Sequence, residues 1–67
     1  MELAINIELR IKNQAYDIIT DPKRTEGARY NDCRAFLQQK MQEGWITERE
    51  LHIFMSDALK VAEEVGV

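Results

Sequence analysis

Sixty-seven residues with a formal charge of −3 make one domain, residues 1–67, and an acidic balance disfavours a general nucleic-acid binder. A chain this short buries only about 60% of its surface on folding, so small domains usually add a disulfide, a metal or a partner chain. One cysteine (Cys33) and one histidine (His52) exclude an intrachain disulfide and a four-ligand zinc site, which leaves the partner chain.

The first segment, about residues 3–20, carries two patterns at once. At the helical period, Leu3, Ala4, Ile7, Ile11, Ala15 and Ile18 form one apolar stripe, and Ile5, Leu9, Tyr16 and Ile19 form a second. Glu8 and Lys12 stand one helical turn apart, at a spacing where they can pair. At period two, Leu3, Ile5, Ile7, Leu9 and Ile11 alternate with polar or small residues, as in a strand. A single strand has no partner elsewhere in the chain, so helix is the expected state.

The second segment, about residues 23–43, opens on Asp21-Pro22, an N-cap followed by proline at the first helical position. Tyr30, Cys33, Phe36, Leu37 and Met41 share one face, and Gly44 stops the helix. Gly27 weakens its first turns. Three residues, Trp45 to Thr47, then suffice for a tight reversal into an antiparallel third helix.

That third helix, residues 48–65, has the clearest signals. Thr47 and Glu50 have the spacing of a capping box, and Ile46 and Leu51 that of a hydrophobic staple around it. Leu51, Phe54, Met55, Ala58, Val61, Ala62 and Val65 lie on one face, and Gly66 ends the run. The expected fold is all-α, a small three-helix domain that self-associates.

Chemistry is sparse. Glu48, His52 and Ser56 line up along one helix, but such a row supplies neither an oxyanion hole nor a cleft, so no catalytic residue is assigned and the chain is expected not to be an enzyme. Cys33 falls among apolar neighbours and reads as a core residue. The three glycines are too far apart to cradle phosphate, and no cofactor or metal is expected. Arg29 and Arg34 belong to a basic stretch that Glu26 and Asp32 interrupt.

The surplus is apolar. One stripe is enough to dock the first helix on a two-helix hairpin, so a second stripe asks for further cover. Ile5, Leu9, Tyr16 and Ile19, with Trp45 and Ile53, are therefore the expected interface residues, and Trp and Tyr are enriched as interface anchors. The last third carries six carboxylates against Arg49 and Lys60, a balance of −4 that suits a basic protein surface.

The expected function is a non-enzymatic adaptor or small regulator acting through protein–protein contact, as a homodimer or with another protein. Short accessory proteins of mobile elements fit the same description. The alternative is a dimeric repressor resembling the ribbon-helix-helix pattern, with residues 3–11 as an intermolecular ribbon and Asn6, Arg10, Arg29 and Arg34 towards DNA. Glu8 in the reading position and the acidic charge oppose it. The longest apolar runs are far too short to span a bilayer, and the N-terminus lacks a basic start and an unbroken apolar stretch, so a cytoplasmic location without membrane insertion is expected.

Overall fold

A computed structural model describes residues 4–66, with side chains from Ile7 onward. Three helices follow one another, α1 (Ala4–Ile19), α2 (Glu26–Gln42) and α3 (Glu48–Val65), and no strand occurs among the described residues. The all-α, three-helix reading of the sequence describes the protein. The ribbon reading does not, because residues 4–11 are helical. A helix satisfies its backbone polar groups within the segment, whereas a lone strand needs a second chain to do so. Helical spacing also brings Ile11, Ala15 and Ile19 to a single buried face.

The start of α2 differs from expectation. Asp21 does not cap it; the N-cap is Thr25, whose hydroxyl accepts a hydrogen bond from the Ala28 N–H at 3.3 Å. Asp21 and Pro22 instead make a turn, in which the Asp21 carboxylate accepts from Lys23 N–H at 2.9 Å and its carbonyl from Arg24 N–H at 3.3 Å. Proline's fixed φ suits the second position of such a turn as well as it suits the first turn of a helix. Arg29 then holds the turn in place. Its guanidinium donates to the carbonyls of Arg24, at 2.8 Å, and Asp21, at 3.3 Å.

At its other end, α2 stops on Gly44, which has φ of 88°. Gly44 N–H bonds to the Met41 carbonyl and Trp45 N–H to the Lys40 carbonyl, both at 3.0 Å. This pair of bonds is a Schellman closure, which requires a left-handed residue and so favours glycine. The capping box of α3 is complete, with Glu50 N–H donating to Thr47 at 3.1 Å and Thr47 N–H to Glu50 at 2.9 Å. Both members of the staple, Ile46 and Leu51, are buried. The cap therefore fixes the entry angle of α3 and delivers two side chains to the core in the same stroke.

α1 packs against both other helices more extensively than they pack against each other. The core takes Ile11, Ala15 and Ile19 from α1, Cys33 and Leu37 from α2, Ile46 from the turn, and Leu51, Phe54, Met55 and Ala58 from α3. Each helix contributes one small residue with no exposure at all: Ala15, Cys33 and Ala58. Small side chains at a crossing let helix axes approach closely. No buried side-chain nitrogen or oxygen lacks a partner among the described residues.

Candidate interaction surface

The six side chains expected at an interface separate into three groups. Leu9, Trp45 and Ile53 are 56%, 50% and 48% exposed, on α1, in the α2–α3 turn and on α3 respectively. Ile19, at 3% exposure, is a core residue, and Tyr16 is half-buried against the core. Ile5 lies outside the residues whose side chains are described. Ile19 is covered because α1 reaches both neighbours at its C-terminal end, where Ile11, Ala15 and Ile19 succeed one another at four-residue intervals on the buried side.

Three exposed apolar residues escaped the sequence reading. Tyr30 and Val65 were expected on core-facing stripes, yet both are solvent-exposed, as is Leu59. Val65 is the last residue of α3. Tyr30 lines a depression together with Leu59 and Ala62.

Two depressions follow the helix junctions. A groove of about 310 Å³ separates α2 from α3, with Tyr30, Arg34 and Met41 on one wall and Glu48, His52 and Met55 on the other. A cleft of about 290 Å³ lies between the start of α1 and the α2–α3 turn, where Trp45 stands beside Ile7 and Ile11, with Arg10 and Lys40 on its rim. Lys40 is held there by Glu43, at 3.2 Å, and lies 5.5 Å from the centre of the Phe36 ring.

Charges on the α1–α3 face are arranged otherwise than the spacing implied. Lys12 does not turn to Glu8; it pairs with Asp57 across the helices at 3.3 Å and lies over the Tyr16 ring at 5.8 Å. Hydrogen bonding to Tyr16, and then to Asp57, raises the Lys12 pKa. Glu8 is left facing Glu50. Repulsion from the Glu50 carboxylate raises the Glu8 pKa, with desolvation and a shared hydrogen bond as smaller causes. Glu50 moves the other way, because the backbone N–H of Thr47 stabilises its charged form.

The sign of each effect is opposite. Glu8 contributes stability that is fully present below the unfolded-state pKa of glutamate and is lost as pH rises through its raised folded value. Glu50 contributes stability present above the unfolded-state value and lost as pH falls through its depressed one. Glu8→Gln should therefore raise the melting temperature at pH 7 by a small amount and leave it unchanged near pH 3. Adding salt at pH 7 should shrink the gap, since both residues are only partly buried and counter-ions reach them. Thermal melts at the two pH values check this, and a lower melting temperature for the variant at pH 7 would contradict the repulsion.

The acid–histidine–serine row is exposed along α3. His52 Nε2 stands 3.9 Å from Glu48 Oε1, and no hydrogen bond joins His52 to Ser56. Cys33 is fully buried, with its Sγ–H directed at the Ala15 carbonyl at 3.5 Å. Burial pushes its thiol pKa up to about 11. A thiol with neither thiolate character nor access does not react. Labelling by an aromatic disulfide at pH 8 should thus be silent in the native state and complete once the chain is unfolded by denaturant. Rapid labelling without denaturant would show that α2 detaches from α1.

Of the residues assigned to DNA in the alternative reading, Arg29 is committed to turn carbonyls, and Arg10 and Arg34 lie on different helices and line different depressions. The Asn6 side chain lies outside those described. No cluster of metal-ligating side chains occurs among the described residues, and none of their helices is long and apolar enough to cross a membrane. Compared with protein-family models, curated proteins and solved structures, the chain matches none.

Proposed function

We propose that this chain is a non-enzymatic adaptor or small regulator that works by protein–protein contact. The observation that carries the reading is Trp45, half-exposed in the α2–α3 turn beside Ile7 and Ile11. A tryptophan in that setting already has its apolar floor and needs only a partner surface to complete its burial. Leu9 and Ile53 extend the apolar display onto α1 and α3. The Schellman closure and the capping box satisfy the backbone on either side of Trp45, which reduces the backbone entropy lost on binding.

The test is a comparison of affinities. A partner cross-linked to the chain in its source cells and identified by mass spectrometry is titrated against wild type and against Trp45→Ala, Leu9→Ser and Ile53→Ser. An anchor residue at the centre of a contact costs about 2 kcal/mol or more when truncated, roughly a thirtyfold loss of affinity. At least one of the three variants should show it while keeping the wild-type melting temperature. Equal affinity for all four proteins would overturn the reading.

A further inference from the structure

We draw no further inference here: the strongest candidate, the apolar patch at the α1–α3 junction where exposed Leu9 lines a depression with Phe54 beside the Glu8 carboxylate, carries nothing because nothing in the structure shows what covers it.

Discussion

Leu37→Ala is expected to lower the melting temperature by at least about 10 °C, a larger effect than any surface change described above. Leu37 is fully buried and is one of only two α2 residues that are. Removing its isobutyl group forfeits the transfer free energy of the lost atoms and leaves a cavity, at a cost of about 2–5 kcal/mol. A domain of 67 residues has a total stability of roughly 3–10 kcal/mol. The loss is therefore comparable with the whole. Trp45→Ala removes a larger side chain, yet half of it already faces solvent, and its cost should be far smaller. Thermal melts by circular dichroism at one fixed protein concentration separate the two. A Leu37→Ala variant that melts with wild type would mean that α2 is not anchored as described.

What could be read from the residues depended on how many local signals agreed. For α3, the Thr47–Glu50 box, the Ile46–Leu51 staple, the apolar period and Gly66 all point to one answer, and the helix runs from Glu48 to Val65 as expected. For α2, Asp-Pro was ambiguous, because its chemistry suits a turn as well as a helix start. The residue that decides the matter, Thr25, has alanine in place of Glu or Gln three positions on and a glycine, Gly27, two positions on, which hides its role. The Lys12–Asp57 pair and the Glu8–Glu50 contact were illegible for a different reason. They depend on α1 and α3 lying side by side, and no spacing along the chain encodes that.

The residues proposed for an interface show the same limit. Leu9 and Ile19 occupied one stripe in the sequence, but the stripe crosses from a solvent-facing start to a covered end. Whether a residue on it is buried depends on where the neighbouring helices begin and stop. Trp45 and Ile53 were legible because a turn and an otherwise polar helix face offer no internal cover. Tyr30 and Leu59 were not. Their exposure goes with the thinner packing of α2 on α3 than of α1 on either of them.

The central place of α1 in the packing makes a second strong prediction. Ala15→Leu should destabilise the domain by about 1–3 kcal/mol, through overpacking and not through any lost contact. Ala15 has no exposure, and its carbonyl already lies 3.5 Å from the Cys33 sulfur. Three further carbons at this position must push α1 away from α2, from α3 or from both, and α1 is the helix on which the other two depend. Ala35→Leu enlarges an exposed position of α2 by the same amount and should change little. The mechanism is tested by adding Cys33→Ala, which withdraws the sulfur from the same layer. Residues in contact couple by about 0.5–3 kcal/mol in a double-mutant cycle, so Ala15→Leu with Cys33→Ala should be more stable than the sum of the two single changes requires. Strict additivity would instead place the added leucine away from Cys33 and would remove the tight α1–α2 crossing as the cause.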